Sequence, residues 1–474
     1  MSKAPFQQAA LGALAAARRA GGPVLACHRF TLPPADNLTL IEMAEGESFR
    51  FYWERPKDEF SLAAGGKAMV FSAEGPQRFQ RLAREVTHAL ENSPAGEALL
   101  PEAPGPYALG GFSFFPNNPQ AGWEGFPPAL MVIPEWMVVR QGGQAWGVVC
   151  LPARPGANAD DLARGLEELA EKTQRLQARA ASGVPVFSPE IPPPVFRREG
   201  DLEGHRHWLD MMQQGLEAIR KKEVDKVVLA RAVELAGSGA LSPFGLLRRL
   251  RPAYPNCFHF LVDPGQGLVF LGASPERLVR VRPTGGGSVA RLGALAGTAP
   301  RGEEPNADEL LGLRLLSSQK ELWEHQLVVN AVKAAVSPYR GDLDAPERPG
   351  LLRLNNVQHL YTPFTLKTAQ PLPVLELLGR LHPTPAVGGH PTQRALELIG
   401  LLERFQRGWY AGPVGWMTAQ GAAEFAVALR SGTIGPGRAR LFTGAGIVSG
   451  SDPETEYFET QLKLQPLLDA MPLG

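Results

Sequence analysis

Two segments of the chain carry pairs of glutamates at helical spacing. Glu321 and Glu324 lie three residues apart in SSQKELWEHQLVVNAV, and Glu456 and Glu459 lie three apart in SDPETEYFETQLKL. Residues at this spacing share one helix face, and Lys463 falls on the face of the second pair. Either these are two solvated faces with a Glu459–Lys463 ion pair, or the two pairs face each other. Four converging carboxylates repel unless a cation neutralises them, and an all-oxygen ligand set suits Mg²⁺.

A further candidate is Lys226, which stands near the start of DKVVLARAVEL at 225–235. β-Branched residues and apolar alternation predict a strand here, in which Lys226 shares one face with Val228, Ala230 and Ala232. A lysine whose neighbours on its own face are small and apolar is unusual, and this singles Lys226 out.

A glycine-rich segment, GAGIVSG at 444–450, is expected to form a strand-to-helix turn. Its third glycine is one position late for a dinucleotide fingerprint, and no βαβ unit surrounds it, so a nicotinamide site is not expected. The amides around Gly444 and Gly446 would receive a carboxylate or a phosphate. Arg430, at the end of the strand-like AEFAVALR, would add a bidentate carboxylate clamp or else form a buried structural ion pair.

The elements that must position these residues are readable from periodicity. Helices are predicted at 159–181 and at 205–223, the second ending in basic residues, and Asp452-Pro453 supplies a cap and an N1 proline for the helix that follows. The apolar runs at 129–139 and 144–151 predict strands. The segment at 184–196, VPVFSPEIPPPVF, is too rich in proline for a helix or a central strand and predicts an extended crossing segment.

Composition excludes several classes of protein. The 474 residues carry 48 Lys and Arg against 48 Asp and Glu, without the basic excess of a nucleic-acid or anionic-membrane binder. No apolar run approaches the ~18–20 residues of a membrane helix. The three cysteines, Cys27, Cys150 and Cys257, are odd in number and widely separated, so neither a disulfide framework nor a metal-ligand spacing is expected. We expect a cytoplasmic protein with no nucleic-acid or membrane partner.

The motifs between Lys226 and Lys463 resemble a known family. They are, in order, KVVLAR, GASPERL, LAGT, SSQKELWEH, VQHLYT, LHPTPAVGG, WYAGPVGW, AEFAVALRSG and GAGIVSGSDPETEYFETQLK. This ordered set is similar to the chorismate-utilising enzymes, a family that contains isochorismate synthase, salicylate synthase and the large subunits of anthranilate and aminodeoxychorismate synthases. GGFSFFP, at 110–116, resembles the family more loosely.

The resemblance implies an α+β fold with two large packed antiparallel sheets, helices outside, and a site in a cleft between the sheets. Residues 1–195 would form the motif-poor part of the fold and 196–474 the chorismate-binding catalytic region. Since both parts contribute strands in that family, we expect one intertwined domain. A monomer is expected.

Three positions bear on which branch of the family the chain resembles. Members that use ammonia generally carry an amide where this chain has Lys226, which favours water as the nucleophile. Ala296 precedes Gly297-Thr298 where aminodeoxychorismate synthases place a nucleophilic lysine, so no covalent amine intermediate is implied. The LHPTPAVGG loop, with His382, is similar to the isochorismate synthase form. The resemblance thus favours a magnesium-dependent chorismate isomerase of the isochorismate synthase type, without an amidotransferase subunit.

Other activities and destinations remain open at this point. A salicylate synthase, component I of an anthranilate synthase and a non-catalytic scaffold are the alternatives. The product would feed menaquinone synthesis or a siderophore or salicylate route, and menaquinone is favoured because the N-terminal half is long.

The resemblance also implies a base and an acid. Lys226 would deprotonate water and Glu276, of SPERL, would protonate the departing hydroxyl, so burial must hold the lysine uncharged and the glutamate protonated. The alternatives are a lysine paired with Asp225 or a glutamate, and a glutamate paired with Arg277.

The remaining roles follow from the same resemblance. Mg²⁺ would sit between Glu324 and Glu459 and bind the ring carboxylate of chorismate, with Glu321 and Glu456 as additional carboxylates. The histidines His359 and His382 would contact substrate or lie in the core. Substrate would be held by Gly297, Thr298, Tyr410, Arg430, Gly444 and Gly446, with Lys463 balancing charge near the metal.

Overall fold

The computed structural model describes residues 3–93, 105–117, 122–183, 195–198, 201–238 and 241–471. Within these ranges the strands form two antiparallel sheets, one of twelve strands and one of ten, with helices packed around them. The predicted α+β class is therefore confirmed. No helix in these ranges is long and apolar enough to cross a membrane. The α-helices are α1 Ala4–Ala20, α2 Asn37–Met43, α3 Arg78–Glu91, α4 Ala159–Ala181, α5 Asp201–Arg220, α6 Pro243–Ala253, α7 Pro305–Ser317, α8 Gln319–Val336, α9 Val374–Leu381, α10 Thr392–Leu402 and α11 Pro453–Asp469.

The strands come from both parts of the chain. They are β1 Val24–Leu32, β2 Arg50–Arg55, β3 Phe60–Gly65, β4 Met69–Ala73, β5 Tyr107–Phe112, β6 Ala129–Ile133, β7 Trp136–Gln141, β8 Gln144–Ala153, β9 Val195–Arg198, β10 Lys226–Ser238, β11 Phe258–Asp263, β12 Val269–Ser274, β13 Arg277–Pro283, β14 Ser288–Pro300, β15 Gly341–Asp344, β16 Gly350–Arg353, β17 Val357–Thr368, β18 Gly389–His390, β19 Pro413–Thr418, β20 Ala423–Val427, β21 Ser431–Gly435 and β22 Arg438–Val448.

Each sheet joins N-terminal strands directly to C-terminal ones. The twelve-stranded sheet runs β1-β8-β7-β3-β2-β11-β12-β21-β22-β10-β18, with β9 added beside β10. The ten-stranded sheet runs β15-β17-β14-β13-β20-β19-β5-β6-β4, with β16 beside β17. Strand β2 pairs with β11 in the first sheet and β5 with β19 in the second. Neither sheet is complete without strands from both parts of the chain.

The core lies in two layers that follow from strand alternation. Phe51 and Trp53, in β2, belong to a cluster that includes side chains of both sheets. Tyr52, between them, belongs to a second cluster that includes side chains of α1, α2, α4 and α6. Successive strand residues point to opposite faces, so the twelve-stranded sheet is buried on both sides.

The predicted elements are mostly present, with two corrections. The helix predicted at 159–181 is α4, and the one predicted at 205–223 is α5, which begins at Asp201 and ends at Arg220. The apolar run at 129–139 is not one strand: it divides at Pro134 into β6 and β7, which lie in different sheets. Proline cannot donate to a strand ladder, and the chain crosses between sheets there. The proline-rich segment predicted at 184–196 falls outside the described residues up to position 194.

The second correction concerns the cysteines. Cys27 and Cys150 are distant in sequence, but β1 pairs with β8 in a register that sets them directly opposite each other. Their Sγ atoms are 3.0 Å apart. All three cysteines are free thiols in the structure, but the wide separation of Cys27 and Cys150 in sequence does not keep them apart in the fold.

The segment between α10 and β19 is packed tightly against Trp123. Gly408 has φ 50, and a Cβ placed there would lie 2.1 Å from the Trp123 indole. That indole is 1% exposed, and its Nε1 donates a hydrogen bond of 2.9 Å to the Gln406 carbonyl. Only glycine fits both the backbone conformation and the space.

We predict that Gly408→Ala lowers the free energy of unfolding by about 3 kcal/mol, because it adds overpacking to a left-handed backbone penalty. Gly421→Ala is the matched control: Gly421 has φ 81, but nothing lies within 4 Å of its added Cβ, so about 1 kcal/mol is expected. Chemical denaturation of both variants measures the difference. Equal losses would contradict the packing argument.

Candidate active site

One cavity gathers most of the residues singled out from the sequence. It lies where β10, β14 and β22 meet the first turns of α8 and α11. Two of the predicted residues, Lys226 and His382, are not part of its lining. Those that line it are Glu276, Gly297, Thr298, Glu321, Glu324, His359, Tyr410, Arg430, Gly444, Gly446, Glu456, Glu459 and Lys463.

Capping residues begin the two carboxylate-bearing helices beside the cavity. The Ser318 hydroxyl caps α8 by accepting the Glu321 amide at 3.4 Å. Asp452 caps α11 by accepting the Thr455 amide at 2.9 Å, and Pro453 occupies the first helical position as predicted. Both glutamate pairs therefore occupy first turns or the turn after, on faces directed at the same cavity, and the two-solvated-faces interpretation is wrong.

All four glutamates lie near a lysine, the longest of these contacts being Lys320 Nζ–Glu321 Oε1 at 3.9 Å. Burial, Glu324 and the two glutamates of α11 raise the pKa of Glu321 to about 7, which shows how closely the negative charges converge. Burial likewise raises the pKa of Glu456. The other ion pairs are Lys226 Nζ–Glu324 Oε1 at 2.6 Å, Lys463 Nζ–Glu459 Oε1 at 2.6 Å and Lys320 Nζ–Glu456 Oε1 at 3.2 Å.

The donor set fits Mg²⁺ in chemistry, because it consists of carboxylate oxygens from two facing helices. In the described part of the chain, however, no three His, Cys, Asp or Glu side chains are already grouped to hold a metal ion. Lysines contact one oxygen each of Glu324, Glu459 and Glu456. A metal ion in this cavity would share these carboxylates with the lysines or displace them.

Lys226 lies under the cavity at the first residue of β10 and is 1% exposed. It donates to Glu324, so the ion-pair alternative holds, with Glu324 rather than Asp225 as the partner. A Cβ at position 446 would approach Lys226 Cε to 3.0 Å and Glu324 Oε1 to 2.8 Å. Gly446 therefore leaves the room that this ion pair occupies. A lysine that is to accept a proton from water must first lose the carboxylate.

Glu276 is buried and free of a neutralising partner. Burial raises its pKa to about 8, against the opposing influence of Lys226 and Lys463. Its backbone is fixed by Ser274 and Val427. The alternative in which Arg277 pairs with Glu276 is wrong, because the Arg277 guanidinium donates to Glu424 at 3.0 Å. At neutral pH the Glu276 carboxyl group is protonated, as an acid catalyst requires.

The two histidines have different environments. His359 lines the cavity, where Nδ1 lies 3.1 Å from the Thr298 hydroxyl and 3.2 Å from the Gly297 carbonyl. Burial, Arg430 and Lys463 lower its pKa to about 3, so the ring is neutral. Among the described residues nothing hydrogen-bonds to its Nε2.

His382 is half-buried and does not line the cavity. Its ring packs beside Phe79 and Phe114, and Nε2 lies 3.2 Å from the Phe114 carbonyl. Burial, with Arg78 adding to it, lowers its pKa to about 3. Of the two alternatives for this residue, packing against aromatic side chains agrees with the structure better than a contact with substrate in the cavity.

Arg430 is positioned to receive an anion. It lies in the turn between β20 and β21 with φ 47, a strained conformation for a side chain of this size. It is 6% exposed, and burial lowers the pKa of its guanidinium. Nη1 donates to Asn356 at 3.3 Å, and no carboxylate in the described ranges forms an ion pair with it. The buried ion-pair alternative is therefore not what the structure has.

Gly444 and Gly446 do not form the predicted turn. They lie inside β22, opposite Ala230 and Val228 of β10, and the turn to α11 begins after Val448. The Gly444 carbonyl accepts from Lys463 at 3.1 Å. These glycines keep one wall of the cavity free of side chains. Tyr410 lines the cavity beside them, and burial raises the pKa of its hydroxyl.

Two charged residues of the cavity escaped the sequence analysis. Lys320 pairs with Glu456, and Arg407, which is 1% exposed, pairs with Glu403 at 2.5 Å. Helical spacing gave no usable signal for either pair, because Glu456 lies 136 residues from Lys320 and because Glu403 and Arg407 follow the end of α10.

Comparison with known proteins identifies the class. Residues 12–472 match the family described as "Chorismate binding enzyme", and the chain belongs to that family. It is 36% identical over 454 residues to the salicylate biosynthesis isochorismate synthase of Pseudomonas aeruginosa, covering 95% of this chain and 90% of the relative. It is 32% identical over 478 residues to isochorismate synthase MenF of Bacillus subtilis, covering 98% and 97%.

A solved structure has the same fold over nearly its whole length. MenF, the menaquinone-specific isochorismate synthase of Escherichia coli, superposes with a TM-score of 0.74 at 27% identity, covering 97% of this chain and 100% of that one.

We predict that Glu276 makes stability fall with rising pH. Because its pKa is about 8 in the folded state against an ordinary 4.5, the contribution is fully present below pH 4.5 and is lost as pH rises through 8. Glu276→Gln removes this loss, so its unfolding free energy relative to the parent chain should improve by a few kcal/mol between pH 5 and 9, at about 1.4 kcal/mol per pKa unit. Denaturation curves across this range test it; a difference that does not change with pH would contradict a protonated Glu276.

Proposed function

We propose that the protein is an isochorismate synthase, which converts chorismate to isochorismate. The single observation that carries the proposal is the cavity lined by a buried, protonated Glu276, by Arg430 and by four glutamates, with the buried Lys226 beside it and paired to one of those glutamates. The named activity of the two relatives matched over most of this chain supports it.

In the proposed reaction water adds to C2 of the ring while the C4 hydroxyl departs and the double bonds shift. Lys226 takes the proton of the attacking water, and Glu276 gives its proton to the departing hydroxyl, which leaves as water. The substrate is thereby isomerised without change in composition. Acid and base return to their starting states by proton exchange with solvent.

The cavity supplies places for both substrate carboxylates. Arg430, with Tyr410 and the backbone at Gly444, would hold the enolpyruvyl carboxylate by charge-assisted hydrogen bonds. Neutral His359, with Thr298, would line the ring near the departing hydroxyl. These side chains already stand around one cavity, so substrate orientation needs no rearrangement of strands.

We propose that Glu324 and Glu459 hold Mg²⁺, with Glu321 and Glu456 as additional carboxylates. Bound there, the ion would screen the ring carboxylate and orient it. Mg²⁺ held by Glu324 would compete with Lys226 for the negative charge of this carboxylate, which would weaken the ion pair and favour the uncharged lysine that the proposed reaction needs.

Menaquinone synthesis is the proposed destination of the product, because relatives named MenF match over the full length of the chain. The Pseudomonas relative is named for salicylate biosynthesis, so salicylate is a second candidate destination. The reaction proposed for this chain is the same in both cases. Complementation of a bacterial strain that lacks its menaquinone isochorismate synthase distinguishes them: restored menaquinone supports the first destination.

Incubation with chorismate and Mg²⁺, followed by chromatographic separation of the products, tests the activity. We predict isochorismate alone. Salicylate with pyruvate would identify a salicylate synthase, and anthranilate formed only with ammonia would identify an amine-transferring subunit. Intact chorismate after prolonged incubation would favour the scaffold.

We predict that Lys226→Ala reduces kcat by at least about 10³-fold, since loss of a base typically costs about 10²–10⁴. Lys221→Ala is the control, because Lys221 is an exposed lysine just beyond the end of α5 and should leave kcat unchanged. Melting temperatures establish that both variants are folded. Turnover by folded Lys226→Ala within tenfold of the parent chain would exclude the lysine as the base.

We predict that calorimetric titration detects Mg²⁺ binding and that Glu459→Gln weakens it at least about tenfold, because a carboxylate ligand is lost. Glu454→Gln is the control: Glu454 lies on the same helix but its side chain is 65% exposed and pairs with His205. Chelation of the metal should abolish turnover. Equal binding by both variants would argue against Glu459 as a ligand.

A further inference from the structure

The strand that carries Lys226 lacks a partner strand along part of one edge. On one side β10 pairs with β22 from Lys226 to Ala236. On the other side β18 covers only its first two residues, and β9 covers only 235–238. Buried backbone groups without partners are costly, so the gap after Val227 must be filled in some other way.

The Gly388 carbonyl accepts the Val228 amide at 3.0 Å, and a buried ion pair serves the next two backbone groups. Glu403 Oε1 accepts the Ala230 amide at 2.7 Å, and Arg407 Nη2 donates to the Val228 carbonyl at 2.7 Å. Arg407 Nη1 also donates to the Val387 carbonyl at 2.8 Å. Two side chains thus make the hydrogen bonds that a neighbouring strand would make.

Stability alone does not account for this arrangement. The two side chains are 1% and 2% exposed, and a buried ion pair is often no more stabilising than apolar residues of the same volume. Its geometric effect is specific, because Val228 lines the cavity on the same face of β10 as Lys226, two residues away.

We infer that Glu403 and Arg407 are positioning residues that fix β10, and with it Lys226, relative to the cavity. The inference rests on the proposed function for its kinetic part. Neither residue reacts with substrate; each acts through the backbone at Val228 and Ala230. Small displacements of a reacting group cost catalysis steeply, so loss of these hydrogen bonds lowers kcat more than it raises KM.

Arg407→Met tests the inference by two independent readouts. We expect kcat to fall at least tenfold with KM within threefold, and amide hydrogen exchange in a peptide covering 226–232 to accelerate at least tenfold. Arg407→Lys, which keeps one charged donor, should recover part of both losses. Glu403→Gln keeps an acceptor for the Ala230 amide and should change exchange less than Arg407→Met does.

Arg251→Met is the matched control, because Arg251 forms a partly buried ion pair with Glu54 at 2.5 Å outside the cavity. It should lower the melting temperature without changing kcat or exchange at 226–232. Unchanged exchange in Arg407→Met, or a kcat loss no larger than in the control, would overturn the inference. Exchange is measured without substrate, so failure of the proposed function alone would leave that readout intact.

A second and independent observation is the thiol pair of β1 and β8. Cys27 and Cys150 are directly opposed across the two strands with Sγ atoms 3.0 Å apart. Opposed antiparallel residues have Cα atoms about 4.5–5.5 Å apart, within the range that a disulfide spans. Burial raises the pKa of the Cys150 thiol, and Arg29, two residues along β1 from Cys27, opposes that rise.

We infer that this pair is a site of disulfide formation by peroxide. The Cys27 sulfur, which is half-buried, attacks one peroxide oxygen, the O–O bond breaks, and sulfenic acid and water result. The Cys150 sulfur then displaces the oxygen from Cys27, which leaves with a proton as a second water. Two thiols and one peroxide thus give one disulfide and two waters.

Treatment of the folded protein with hydrogen peroxide, alkylation in denaturant and non-reducing peptide mapping test this. We expect titratable thiols to fall from three to one, with Cys27 and Cys150 in one linked peptide pair and Cys257 alkylated. Cys27→Ser and Cys150→Ser should each prevent linkage. The crosslink closes a loop of 123 residues, so the oxidised protein should melt several degrees higher. Three remaining thiols, or linkage through Cys257, would overturn the inference.

Discussion

The cavity brings four carboxyl groups close together, and the rest of the site depends on how their mutual repulsion is compensated. A buried carboxylate needs an opposite charge or a proton. Each of the four groups lies near a lysine, and the one farthest from its lysine, Glu321, has a pKa raised to about 7. Because the negative charge is only just compensated, the same groups are suited to exchange one cation for another. The site thus depends on the compensation of charge and not on shape alone.

Glu276 and Lys226 have opposite requirements for their protonation states. Glu276 stays protonated because it is buried without a direct partner, whereas Lys226 is joined to a carboxylate. Lys226 is the first residue of β10, and Glu276 lies in the short connection between β12 and β13, so both are held next to strands. Because the sheet is rigid, a small change of charge nearby alters the proton affinity of these groups rather than moving them.

The reactive residues were easier to predict from the sequence than the contacts that surround them. Helical spacing alone placed Glu321 beside Glu324 and Glu456 beside Glu459, because i, i+3 geometry is local. The partner of Lys226 was not predictable from spacing, since Glu324 lies 98 residues away and its helix, α8, packs against β14. The pattern of glycines at 444–450 was misjudged for a related reason. Here the glycines allow close approach of other groups inside a strand. A glycine-rich strand has the same composition as a glycine-rich turn.

The pairing of early strands with late ones has a consequence for biosynthesis. β2 cannot pair with β11 until β11 has been synthesised. The contacts between the two strands include that of Arg50 with Asp263, 213 residues further on. While the ribosome makes the intervening chain, the nascent N-terminal half presents unpaired strand edges and an apolar face. Such edges invite wrong association, and folding dominated by distant contacts is slow. Efficient production of this enzyme would therefore depend on chaperones that shield its first two hundred residues until the rest of the chain emerges.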